Sequence, residues 1–176
     1  MTRTFLGATT ASAALALTAV LQLTHEQSSE STTIGGTEHL LVGLLSLTLL
    51  ALVPVIHRLG SLGARRLALL PITGQVVLAA LSTISNIRGE DPSFFAAIAI
   101  PANLAILGGW VALAVVLRRC GAIPTWLAVA LPLAYIGMIP ASMAGGGFIA
   151  ALVWLAFAAR EASPAWSSRP VSHPVA

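Results

Sequence analysis

Charge is the scarcest property of this chain. Charged residues occupy 9% of its 176 positions, where soluble domains have about 25%, and hydrophobic residues occupy 57%. Because so few charges cannot give a core of this size a polar surface, the composition excludes an ordinary soluble domain. The basic residues are all arginine, and they exceed the acidic ones by only three, 9 against 6. This charge balance does not indicate a nucleic-acid partner.

Cysteine and catalytic motifs are also lacking. The single Cys120 excludes an internal disulfide and a C-x-x-C redox pair, and its place beside Arg118 and Arg119 indicates a thiol at a membrane edge. We find no G-x-S-x-G nucleophile elbow, no H-E-x-x-H zinc motif and no glycine-rich phosphate loop. We therefore predict no catalytic residue and expect a protein that is not an enzyme.

What the chain has instead is a series of long uncharged runs. The runs free of Asp, Glu, Arg and His cover residues 4–24, 40–56, 67–87, 92–117 and 120–159. A bilayer core of about 30 Å takes roughly 20 apolar residues per helix, so each run is long enough for one or two crossings. The last run is too long for one helix, and Pro140 followed by Gly145, Gly146 and Gly147 predicts a hairpin within it.

The predicted fold is all-α, an integral membrane bundle of six transmembrane helices formed by residues 1–161. The helices are expected at residues 5–23, 39–57, 67–87, 94–117, 123–139 and 143–160. A polar loop over residues 24–38 would lie on the outer side. Residues 162–176, which include three prolines, are expected to form a disordered cytoplasmic tail.

Arginine placement predicts the direction of insertion. Cytoplasmic loops of membrane proteins carry an excess of Arg and Lys. With a cytoplasmic N-terminus, six crossings put eight of the nine arginines inside and leave only Arg88 outside, among five of the six acidic residues. Both termini are therefore predicted to be cytoplasmic, in a bacterial cytoplasmic membrane.

The first predicted helix has a second interpretation. Residues 1–23 have a basic start and an apolar middle, as a secretory signal peptide does. However, the small-residue triplet at 11–13 comes too early for a cleavage site, and no A-x-A pattern precedes His25. We favour an uncleaved helix, and either interpretation leaves residues 24–37 outside.

Uncharged polar residues are the candidates at mid-depth, since no Asp, Glu, Lys, Arg or His is predicted there. Gln75, Ser82 and Asn86 lie on one face of the third helix, because they are spaced by seven and four residues. Asn103 and Tyr135 lie in the fourth and fifth helices. These side chains either line a path for a small ligand or form bonds between helices. We favour the bonds, which contribute about 0.6 kcal/mol each.

Ionisable residues gather at the predicted outer side. The candidates for an outer-face site are His25, Glu38, His39, Arg88, Glu90 and Asp91. Glu38 and His39 are adjacent and point about 100° apart on a helix, so they form no acid/base pair by themselves. A metal site lacks a recognised ligand spacing, and a haem lacks partner histidines. We therefore predict neither a metal nor a cofactor.

Three local features occur together in this chain. They are an arginine pair at 118–119, a Pro-Thr-Trp helix start at 124–126 and a late glycine-rich hairpin. In this combination the chain resembles the small multi-pass membrane proteins of GC-rich bacteria. The resemblance covers about residues 40–160 and implies no particular function.

Three functions are compatible with these features. We favour a non-enzymatic membrane protein that binds another membrane component through faces rich in small residues. The alternatives are a channel or carrier for a small neutral or lipophilic solute, and a membrane enzyme with an outer-face site. The expected partners are the lipid bilayer and either a second copy of the chain or another membrane protein, with no nucleic acid.

Reporter fusions test the predicted direction. Reporters that are active only outside the cytoplasm should be active when fused after Glu30, Gly89 or Ser142. The same reporters should be inactive after Gly63, Gly121 or Ala162, because these positions follow arginine-bearing helix ends. An active fusion at Ala162 would mean that residues 120–159 cross the membrane once, and the six-helix prediction would be wrong.

Overall fold

The computed structural model describes residues 2–24, 36–141 and 144–163. Within these ranges all regular secondary structure is helical, which confirms the all-α prediction. The α-helices are α1 (Arg3–Thr24), α2 (Thr37–Ala51), α3 (Val53–Leu59), α4 (Leu69–Arg88), α5 (Phe95–Arg119), α6 (Thr125–Met138) and α7 (Gly146–Glu161). A short π-helical segment, Gly60–Ala64, continues α3. Most of the predicted outer loop and of the predicted tail lies outside the described residues.

Among the described residues, four continuous helical stretches are long and apolar enough to cross a membrane. They are α1, α4, α5 and the stretch Thr37–Ala64, which comprises α2, α3 and the π-helical segment. The shorter α6 is also apolar. Large apolar side chains such as Leu40, Leu104 and Leu152 are more than half exposed on the outside of the bundle. These features are those of a multi-pass membrane protein.

The second of these stretches is interrupted near its middle. The α-helical pattern breaks at Leu52 and resumes at Val53, inside the helix predicted over residues 39–57. Pro54 is the physical reason, because it has no N–H to donate and its ring crowds the carbonyl group one turn earlier. The chain nevertheless continues in the same direction through α3 to the π-helical segment.

The helices pack as a closed ring in the order α1, α2, α4, α5, α6, α7 and back to α1. Neighbours in the ring run antiparallel. The hydroxyl of Ser12 in α1 donates to the carbonyl of Ala151 in α7 at 2.8 Å, and His39 at the start of α2 bonds to Asn86 near the end of α4. This alternation of direction collects the turns at two ends of the bundle.

The two ends differ in charge. The arginine end holds the α5–α6 turn with Arg118 and Arg119, and the acidic end holds the α4–α5 turn with Glu90 and Asp91. Arg58, near the end of α3, also lies at the arginine end. The segregation of charge that is visible in the sequence is therefore a property of the folded bundle.

Aromatic side chains fill the interior of the ring. Trp110 of α5 and Trp154 of α7 are fully buried, and their ring centroids are 5.6 Å apart, although α6 separates their helices around the ring. Phe157 lies edge-on to Trp154 at 6.2 Å. The contact between the two tryptophans lies behind α6, and both rings belong to one core of buried side chains contributed by helices all around the ring, so the interior at this depth is packed.

Close contact between α4 and α5 depends on two glycines. A Cβ atom on Gly74 would lie 2.5 Å from Ile106 Cγ1 and 2.7 Å from the Ala102 carbonyl oxygen. One on Gly109 would lie 2.9 Å from the Pro71 nitrogen. Since real Cβ atoms do not approach neighbours so closely, only glycine permits this separation of the helices.

Adjacent glycines of α5 provide a matched test of this contact. Gly109→Ala should lower the free energy of unfolding by about 1–3 kcal/mol, because the added methyl group overpacks the α4 interface. Gly108→Ala should cause no loss and should raise it by up to about 1 kcal/mol, because nothing lies within 4 Å of the added carbon and alanine favours a helix over glycine. Thermal unfolding of both variants in one detergent gives the comparison. Equal losses would show that α4 and α5 do not pack at this depth.

Candidate functional site

A pocket at the acidic end collects most of the predicted outer-face residues. It lies between the N-terminus of α2, the C-terminus of α4 and the following turn, and has a volume of about 220 Å³. Its lining comprises Glu38, His39, Val42, Ser85, Asn86, Gly89, Glu90 and Asp91. Arg88 pairs with Glu90 at 3.6 Å on the surface, and His25 lies outside the described residues.

Two local features position the polar groups of this acidic-end pocket. His39 Nδ1 donates a hydrogen bond to Asn86 Oδ1, which joins the first turn of α2 to the end of α4. A neutral His39 then presents Nε2 as an acceptor. Gly89 ends α4 with a φ of 73°, a left-handed conformation that glycine adopts without strain, and so brings Glu90 and Asp91 to the pocket wall. The resulting carboxylates favour a cationic guest.

A polar pair at mid-depth joins α5 to α6. The hydroxyl of Tyr135 donates to Asn103 Oδ1, and Asn103 Nδ2 donates to the Ala99 carbonyl at 2.7 Å. Both polar atoms of the Asn103 amide are therefore engaged within the protein. This arrangement serves as a bond between helices.

The three α4 candidates have different surroundings although they share a helix face. Asn86 lines the acidic-end pocket, and Ser82 is 7% exposed in the core. Gln75 is fully buried, and neither atom of its amide has a hydrogen-bond partner among the described residues. An unpaired buried amide costs about 1–3 kcal/mol, and we have no packing explanation for glutamine at this position.

A second concave region, the α5–α6 groove, lies at the arginine end. It has a volume of about 340 Å³ and mostly aliphatic walls. Its lining comprises Val111, Ala114, Val115, Arg118, Arg119, Thr125, Ala128, Val129 and Pro132. Arg118 Nε donates to Thr125 Oγ1 at 2.8 Å, which ties the end of α5 to the start of α6. Sequence reasoning did not select this region, although the arginine pair beside the Pro-Thr-Trp helix start marks its position.

Sequence reasoning also missed a buried carboxylate at the arginine end. The side chain of Glu161 is 4% exposed, and its Oε1 lies 4.0 Å from Arg58 Nε. Buried charges in proteins are normally paired in this way. The sequence did contain one indication of an unusual role for this residue. Glu161 is the only acidic residue outside residues 26–91. The pair connects the ends of α3 and α7.

No protein-family model, curated protein or solved structure matches this chain. Across the described ranges, no group of three or more His, Cys, Asp and Glu side chains is arranged to hold a metal ion. Function must therefore be inferred from the geometry of the acidic-end pocket and the α5–α6 groove.

A double-mutant cycle tests whether Asn103 and Tyr135 act as a bonded pair. Tyr135→Phe removes only the hydroxyl and should lower the free energy of unfolding by about 0.5–2 kcal/mol, since interhelical hydrogen bonds in membranes are modest. Combined with Asn103→Leu, the loss should be smaller than the sum of the single changes, because either change already removes the shared bond.

The matched control for this cycle pairs Tyr135→Phe with Gln75→Leu, whose effects should add. Thermal unfolding of all variants in one detergent gives the free energies. Additive and near-zero effects for Asn103 and Tyr135 would contradict the bonding role and would favour a hydrated path instead.

Proposed function

We propose that the chain crosses the bacterial cytoplasmic membrane six times, with both termini inside. The closed ring of alternating helices supports six crossings, and the collection of arginines at one end supports the direction. Packing of α1 between α2 and α7 supports an uncleaved first helix.

The last two crossings are short. With 14 and 16 residues, α6 and α7 extend about 21 and 24 Å, less than the roughly 30 Å of a bilayer core. The turn between them would lie recessed in the outer leaflet, and local thinning of the bilayer would accommodate it.

The function we propose is non-enzymatic, the binding of another membrane component at the lateral surface of α5 and α6. One observation supports this proposal most directly. The interior of the ring is packed, whereas the α5–α6 groove is open on the outer surface of the ring. The groove residues Val111, Val115 and Val129 are 45%, 45% and 54% exposed, and Gly108, one turn from Val111, leaves the α5 backbone uncovered.

Transport has less support. Trp110 and Trp154 pack together inside the ring, and the hydroxyl of Tyr135 is bonded to Asn103. A channel or carrier for a small neutral or lipophilic solute would require these contacts to separate, or a second copy of the chain to complete the path.

The acidic-end pocket favours a second candidate function, an enzyme acting at the outer face. His39 has a ring nitrogen that is not used by Asn86, and the carboxylates of Glu38, Glu90 and Asp91 line the same pocket. A positioned imidazole and carboxylate can exchange a proton with a bound substrate. The charge of the pocket selects a cationic substrate.

Site-specific photo-cross-linking tests the proposed binding surface. A benzophenone amino acid at Val111, in the groove, should give one adduct of defined mass in intact membranes. The same amino acid at Leu152 of α7, which is 65% exposed outside the groove, should give only diffuse lipid labelling. Equal labelling at the two positions would contradict a preferred surface. If the protein instead carried glycerol into liposomes, and Asn103→Leu abolished this flux, transport would be the better supported function.

A further inference from the structure

The α5–α6 groove is apolar along its length. Its α5 wall runs from Val111 to Arg119, about 12 Å of helix, and Val129 and Pro132 form part of the opposite wall. The aliphatic lining offers a polar solute no hydrogen-bonding groups until the arginine end is reached. A hydrocarbon chain is the guest that such walls accommodate without loss of hydration.

The polar end of the groove has the groups that recognise a phosphate. Arg118 is positioned by its bond to Thr125 and retains the N–H groups of its terminal nitrogens. In the part of the chain that the structure describes, neither Arg118 nor Arg119 has a carboxylate partner. Thr125 begins α6, whose first backbone N–H groups have no acceptor within the helix and form the positive end of its dipole.

Trp126 marks the level of the lipid headgroups. Its side chain is 48% exposed and follows the first residue of α6. Exposed tryptophans in membrane proteins concentrate at the membrane–water interface. The arginines and Thr125 therefore lie at the depth of lipid phosphates, and the aliphatic walls lie at the depth of the acyl chains.

A second apolar groove on the same protein provides a comparison. It lies between α1 and α2, has a volume of about 370 Å³, and is lined by Thr9, Thr10, Ala13, Ala14, Leu17, Leu44 and Leu47. Its lining, as far as the described residues show, includes no basic side chain, so a lipid there would be held by its acyl chain alone. Of these two grooves, the α5–α6 groove is the one that combines aliphatic walls with a cationic end.

We propose that the α5–α6 groove binds one anionic phospholipid, with the phosphate at Arg118 and Arg119 and an acyl chain along the valine-lined walls. Basic pockets between transmembrane helices are a recognised means of holding acidic lipid headgroups. The proposal rests on the lateral binding function inferred above and names its partner.

Native mass spectrometry of the full chain tests the headgroup. The protein is titrated in detergent with phosphatidylglycerol or phosphatidylcholine that carry the same acyl chains. The wild type should bind one phosphatidylglycerol about thirtyfold more tightly than phosphatidylcholine, the combined effect of two arginines on an acidic lipid. Arg118→Gln combined with Arg119→Gln should abolish this preference and weaken phosphatidylcholine binding much less, because choline balances the charge of its phosphate.

Two further variants separate recognition from general charge and from misfolding. Arg65→Gln combined with Arg66→Gln removes two exposed arginines from the same end but outside the groove, and should keep the preference within about twofold. Arg119→Gln alone, which leaves the bond between Arg118 and Thr125 in place, should lower the preference about fivefold.

A change in the groove wall tests the acyl chain. Val129→Trp should weaken binding of both lipids, because the indole fills the groove. Equal affinity of the wild type for the two lipids would overturn the proposal, as would an equal loss in the Arg65 and Arg66 control. Unchanged binding in Val129→Trp would overturn it too, because the chain would then lie elsewhere.

The cross-linking experiment separates this proposal from the function on which it rests. A protein adduct at Val111 together with equal affinities for the two lipids would overturn the lipid proposal and still support the binding surface. Diffuse labelling at Val111 would overturn the proposal of a binding surface on α5 and α6.

Discussion

In a bilayer the lipid tails are as apolar as the side chains of a helix, so helices are not drawn together by exclusion of water and must associate through shape. This bundle meets that requirement with glycine at its contacts. Gly74 and Gly109 allow α4 and α5 to approach, and Gly137 and Gly146 do the same for α6 and α7, where a Cβ on Gly137 would lie 2.7 Å from the Gly146 carbonyl oxygen. The closed ring follows from such contacts.

The closed ring decides where polar groups can act. Its centre is occupied by Trp110 and Trp154, and hydrogen bonds between Asn103 and Tyr135 and between His39 and Asn86 join neighbouring helices. Asn103 and Tyr135, two of the polar residues that would suit a solute path, are therefore engaged with each other, whereas Gln75 is buried without a partner among the described residues. The concave regions that we describe lie at the ends and on the outside of the ring, which is why the proposed function concerns lateral partners.

Charge is used in two ways at the arginine end. Arg58 and Glu161 form a pair at the ends of α3 and α7, where the carboxylate is buried. Arg118 and Arg119 stay at the surface, and the bond from Arg118 to Thr125 joins α5 to α6. The same arginines that indicate the direction of insertion can thus hold an acidic lipid in the adjacent groove. The two roles are compatible, because both place positive charge at the level of the headgroups.

Composition and the spacing of charge are enough to predict helices that are long and apolar enough to cross a membrane. Long uncharged runs are typical of helices that face lipid, because backbone groups in a bilayer core must be hydrogen-bonded within the protein, and four described stretches have the required length. The count of six crossings, the direction and the function remain predictions. Four of the six residues predicted together as outer-face candidates, Glu38, His39, Glu90 and Asp91, line one pocket.

Which residues meet depends on how the helices pack. Asn103 is bonded to Tyr135, 32 positions away, and His39 to Asn86, 47 positions away, pairings that depend on the order of helices around the ring. Gly109 is enclosed while its neighbour Gly108 is open, because adjacent helix positions face about 100° apart and only packing decides which face is covered. The α5–α6 groove likewise forms only when α6 folds back along α5, although the arginine pair and the helix start at Thr125 mark one of its ends in the sequence.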